Sequence, residues 1–113
     1  MNIQQVIDQL QLTILTTPQD FQHIEPTAGY TSDLLSCVMA GAQHGSIWVT
    51  LQAHGNIVAV ASLLEITAII ITEGAMPDEA TINKANEQGI TLLSTPDSSF
   101  QVIGKLWEMG LQS

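Results

Sequence analysis

The chain has 113 residues, 45% hydrophobic and only 12% charged, with 2 basic side chains against 11 acidic ones and a formal charge of -9. Its length suits one domain spanning residues 1–113, and a chain of this size buries roughly two-thirds of the surface it exposes unfolded. Nucleic acids and anionic membranes are excluded as partners, because both are gripped chiefly by Lys and Arg.

Scarce charge leaves apolar surface for a partner to cover, most simply a second copy, so a homodimer is expected. The single Cys37 allows no internal disulfide and suits a reducing cytoplasm. No basic segment precedes an apolar run at the N-terminus. The most apolar run, residues 57–71, is too short for a membrane span and is interrupted by Glu65. A cytoplasmic location is expected.

In chain order, Ile3, Val6, Ile7 and Leu10 recur at helical spacing and predict an amphipathic helix. Residues 12–15 read as a short strand closed by Thr17-Pro18, and residues 21–26 as a second extended piece. Leu34, Leu35, Val38, Met39 and Ala42 form a helical stripe ending at His44-Gly45, with Cys37 among its packed residues and Ser32 or Asp33 as its N-cap. Residues 46–51, β-branched and aromatic, predict a strand. Residues 57–64 predict a helix apolar on nearly all sides. Ala68, Ile69, Ile70 and Ile71 form the continuous run expected of a strand covered on both faces. Pro77-Asp78-Glu79 opens a further helix and Gly89 closes it. Residues 90–93 make the next strand. Ser98 or Ser99 caps a last helix carrying Phe100, Ile103 and Trp107, which Gly110 ends.

Strands alternating with helices of about 8 to 12 residues, joined by short turns, predict βαβ crossovers. The expected fold is α/β, a single compact domain with a mostly parallel sheet flanked by helices.

In such sheets ligands collect where strand C-termini lead into helix N-termini. Residues 29–33, 52–56, 72–74 and 94–99 are rich in Gly, Ser, Thr and Asn and fall at those places. Caps and turns require the same residue types, so both readings stay open. Tyr30, the only tyrosine, either stacks on a nucleobase or plugs a gap against the sheet. His54 and Asn56 are placed to meet a polar ligand or simply to sit in a turn. A small anionic ligand needs no Lys or Arg where backbone N–H groups at a helix start can hold it.

Catalytic signatures are absent: there is no Gly-x-x-x-x-Gly-Lys, no Gly-x-Gly-x-x-Gly, no Gly-x-Ser-x-Gly and no Cys-x-x-Cys. His23, His44 and His54 lack metal-ligand spacing, and the chain has no arginine. No metal, no cofactor and no catalytic residue is therefore expected, and a binding module is favoured over an enzyme.

The stretches GYTSDLLSCVM, GSIWVTLQAHGNIVAVASLLEITAIIITEGAMPDEA and KANEQGITLLSTPDSSFQVIGKLWEMGL resemble stand-alone DRTGG-domain proteins, most specifically over residues 29–110. The chain is likewise similar to the N-terminal domain of HPr kinase/phosphorylase, to a middle domain of some phosphotransacetylases and to an insert between CBS domains in family II pyrophosphatases. It lacks a literal Asp-Arg-Thr-Gly-Gly. Gly29, Tyr30, Thr31, Ser32 and Asp33 stand in the equivalent region, so no role tied to the motif's arginine carries over.

The resemblance implies a parallel α/β fold and a regulatory or assembly role without catalysis. The P-loop kinase domain of HPr kinase has no counterpart here. Stand-alone members encoded beside ATPase-like and iron-hydrogenase-type proteins point to energy or redox metabolism. In the pyrophosphatase relatives the regulatory region responds to adenine nucleotides, chiefly through its CBS domains. The expected function is a regulatory module for a small anionic metabolite or nucleotide, or for a partner enzyme or signalling protein. The expected ligand site combines Gly29, Tyr30, Thr31, Ser32, Asp33, His54, Asn56, Thr95 and Ser98. The alternative is a structural interaction subunit with an apolar face around Trp48, Trp107 and Met109, and a less favoured one is a small enzyme resting on His54 and Asp33.

Overall fold

The side-chain alternation of the central strands dictates two helical layers. A computed structural model describes residues 1–113. The strands are β1 (Thr13–Ile14), β2 (Gly29–Thr31), β3 (Ile47–Thr50), β4 (Ala68–Ile71) and β5 (Leu92–Ser94). They form one sheet in the order β1-β5-β4-β3-β2. The last four are mutually parallel, and β1 runs antiparallel to β5 with Thr13 opposite Ser94.

Ile47, Val49, Ala68, Ile70 and Leu93 point to one face, where they pack on α1 (Ile3–Leu10) and α5 (Ser99–Glu108). Trp48, Ile69, Ile71 and Leu92 point to the other, against α2 (Leu35–Gly41), α3 (Asn56–Leu64) and α4 (Glu79–Gln88). Both β3 and β4 are buried along their whole length, as a strand sandwiched between helices must be.

Local chemistry sets the boundaries. The Asn2 and Gln5 side chains form a reciprocal capping box at the start of α1. Asp78 caps α4 through the Thr81 N–H, Ser98 caps α5 through the Gln101 N–H, and Gly89 ends α4 at φ +70°. All three crossovers between β2 and β5 stay on the α2/α3/α4 face, so the parallel strands follow chain order without reversal. Among neighbouring parallel strands, only β4 and β5 send their connections to opposite faces, to α4 and α5 respectively.

Several expectations are corrected. Residues 21–23 form a 3-10 turn rather than an extended piece, with Phe21 buried under α1. Helix α2 lies over the sheet margin and buries Val38 alone, which leaves Leu34, Met39 and Cys37 exposed. In α5 the sheet takes Val102 and Leu106, while Phe100 and Trp107 face solvent. Trp48 is fully buried and its indole N–H donates to the Ser32 carbonyl, so it belongs to no exposed face.

Candidate functional site

Parallel pairing carries Ser32 and Asp33, with residues 52–56, 72–74 and 95–99, to one edge of the sheet, beyond the C-termini of β2, β3, β4 and β5. There the polar groups chiefly satisfy one another. The Asp33 carboxylate accepts from Thr50 Oγ1 at 2.8 Å and from the Leu51 N–H at 2.9 Å, and its carbonyl accepts from the Gln52 amide. Neither Asp33 nor Ser32 caps the first turn of α2 in the expected way. Helix α2 has no side-chain cap, and Ser32 Oγ takes only the N–H of Leu34, its N-cap residue.

Thr72 bridges toward both neighbours, donating to the Thr50 carbonyl and accepting from the Ser99 hydroxyl. Glu73, at φ +61°, accepts the Ser99 N–H at 2.8 Å on its carboxylate and donates its own N–H to the Asp97 carbonyl. Thr95 Oγ1 accepts from the Asp97 N–H, and Ser98 is occupied as the α5 cap. A non-glycine residue in the left-handed region costs on the order of 1 kcal/mol, and these bonds hold Glu73 there. His54 and Asn56 lie on the same edge, exposed. Beside them the hydrogen bonds from Thr81 hold the Asp78 carboxyl below its ordinary range, with His54 the smallest contributor.

Gly29, Tyr30 and Thr31 are strand, not loop. Tyr30 points to the α2 face, where its hydroxyl donates to the Cys37 carbonyl at 3.0 Å. A Cβ at Gly41 would stand 2.6 Å from that hydroxyl, so Gly41 makes the space that the ring fills. Of the two roles open to Tyr30, the ring takes the plug.

Gly29 and Thr31 point the other way, toward α5. Two helices cannot cover five strands, and β2 is the strand they leave bare. The result is a groove of about 340 Å³ with Gly29, Thr31 and Val49 as floor and Ile103, Leu106 and Trp107 as wall. Leu111 closes one end, and the Gln112 carbonyl accepts the outward Gly29 N–H. Trp107 stands 55% exposed beside it. Thus Gly29 and Thr31, with the Tyr30 backbone, belong to the groove, whereas Ser32, Asp33, His54, Asn56, Thr95 and Ser98 belong to the carboxyl edge. No single crevice unites all nine. Sequence reading missed Ile103, Leu106 and Trp107 as groove residues. Their one signal was a second helical stripe on α5.

No three His, Cys, Asp or Glu side chains converge as metal ligands, and no helix is long and apolar enough to cross a membrane.

The DRTGG domain model matches residues 33–109. The chain belongs to the DRTGG domain family. No curated protein sequence matches it. Among solved structures it is similar to the CBS and DRTGG domains of the regulatory region of Clostridium perfringens pyrophosphatase, complexed with the activator diadenosine tetraphosphate. Identity is 19% and the TM-score 0.73, over 90% of this chain and 44% of the other, so the DRTGG chain spans under half the length of that regulatory region. The shared fold includes the parallel sheet and its flanking helices.

Proposed function

We propose that this DRTGG chain is a non-catalytic regulatory module acting as one unit over residues 1–113 in the cytoplasm. Its small ligand would be held by a flat ring in the groove between β2 and α5. The observation that carries this reading is the groove itself. It lies at the lower end of the roughly 300–1,000 Å³ usual for small-molecule sites, is lined mainly by apolar groups, and has one exposed indole to stack on.

A nucleobase fits these demands, and the adenine-bearing activator of the pyrophosphatase regulatory region supports that class. Any phosphates would point to solvent, since no lysine or arginine lines the groove. The catalytic alternative gains no support: the Asp33 carboxylate is committed to Thr50 and Leu51.

Thermal shift and tryptophan fluorescence with AMP, ADP, ATP and diadenosine tetraphosphate test the proposal. A ligand at about 100 times its dissociation constant stabilises the fold by about 2.7 kcal/mol. The stabilisation should disappear in Trp107→Ala. A panel that moves neither signal, or a Trp107→Ala protein that responds like wild type, overturns it in favour of a structural interaction subunit without a ligand.

A further inference from the structure

A different surface carries a partner. Each connection that leaves the carboxyl ends of the parallel strands puts one large apolar side chain into solvent. They are Leu34 after β2, Leu51 after β3, Met76 after β4 and Phe100 after β5. Phe100 is 84% exposed and Leu34 and Met76 each 61%. Four of the seven exposed large hydrophobics of the molecule therefore share one edge.

The hydrogen bonds of that edge join the connections in sequence, Asp33 to Leu51, Thr72 to Thr50, and Glu73 to Ser99. The connections that carry these side chains are thus tied to one another before anything binds. Three inter-strand steps of about 4.8 Å make it about 14 Å long, which matches the apolar stripe of roughly ten helical residues. Strand ends offer no unpaired ladder, so an occupant must bind through side chains and not as an added strand.

Charge selects the occupant. Asp33, Glu73, Asp78, Glu79 and Asp97 stand on the same edge, against one lysine, Lys105, reaching Asp97 from mid-helix at 3.6 Å. A second copy would set acid against acid, and a phosphate-bearing ligand would be repelled. We propose that the carboxyl edge of the sheet is a docking surface for a basic amphipathic helix of a partner protein. The apolar stripe of that helix covers Leu34, Leu51, Met76 and Phe100, and its Lys or Arg flanks meet the surrounding acids. This surface is separate from the groove, and its test is independent of any ligand there.

The probe is a synthetic helix of about 18 residues with Leu at i, i+3, i+4 and i+7 and Lys elsewhere, titrated into the whole protein by calorimetry and by backbone NMR. Expected are saturable binding that weakens on raising salt, and shifts confined to residues 33–35, 51–54, 73–79 and 97–101. The Met76→Ser/Phe100→Ser double variant, altered only at exposed positions, should lose at least tenfold in affinity, while Trp107→Ala binds like wild type. The same peptide with Glu in place of Lys should not bind. Shifts centred elsewhere, undiminished affinity in the double variant, or equal binding of the Glu peptide would overturn the proposal.

Discussion

The two faces of the sheet are built from the same kind of strand and end differently. On one, the three crossover helices α2, α3 and α4 are laid down in chain order and cover the sheet as far as its β2 margin. On the other, only α1 and α5 are available, and β2 stays bare. Coverage, not residue chemistry alone, decides where a cavity lies. The Gly29-Tyr30-Thr31 strand shows both outcomes in three residues. Tyr30 is locked against Gly41 on the covered face, while its neighbours floor a groove on the other.

The contrast can be broken most severely at its covered face. Trp48→Ala removes a fully buried indole and its bond to the Ser32 carbonyl, and should cost about 3–5 kcal/mol in denaturant unfolding. Gly41→Ala forces a Cβ to within 2.6 Å of the Tyr30 hydroxyl and should cost about 1–3 kcal/mol. Tyr30→Phe removes the nearest clashing atom, so the double variant should lose less than the sum of the singles. Additive losses would mean that ring and glycine do not meet.

A gentler probe is pH. The Thr81 hydrogen bonds hold the Asp78 carboxyl below its ordinary value. A depressed folded-state pKa contributes stability at neutral pH and loses it as pH falls through that pKa, below about 3.9. Asp78→Asn keeps a capping oxygen without the titration, so its acid-side decline should be shallower than that of wild type in melts from pH 6 to pH 3. The smallest effect belongs to the bare face. Trp107→Ala should move unfolding by no more than about 0.5 kcal/mol, because its ring is largely in solvent. A large loss there would mean that the groove is part of the core.

The fold was legible because its signals are local. The spacing of Ile3, Val6, Ile7 and Leu10, the unbroken run at residues 68–71, Gly89 and Ser98 each specify one element without outside help. The groove was not, because it depends on what fails to cover β2. Helix α5 carries two stripes of helical period, and only the docked sheet chooses Val102 and Leu106 over Phe100 and Trp107. Likewise Tyr30 cannot be told from a ligand contact without Gly41, eleven positions along, beside it. Ser32, Thr72, Thr95 and Ser98 do follow strand ends along one edge while Thr31 does not, and their mutual hydrogen bonds are invisible in spacing.

The antiparallel pairing of Thr13 and Ile14 with Ser94 and Leu93 has a consequence for the order of assembly. From β2 to β5 each new strand adds beside its predecessor, so these contacts form between near neighbours in sequence. The β1–β5 pairing and the packing of α1 on α5 must instead wait for the last strand and helix. On the ribosome the N-terminal segment emerges first and closes last. Until then the α1/α5 side of β3 and β4 lacks the cover that α5 supplies.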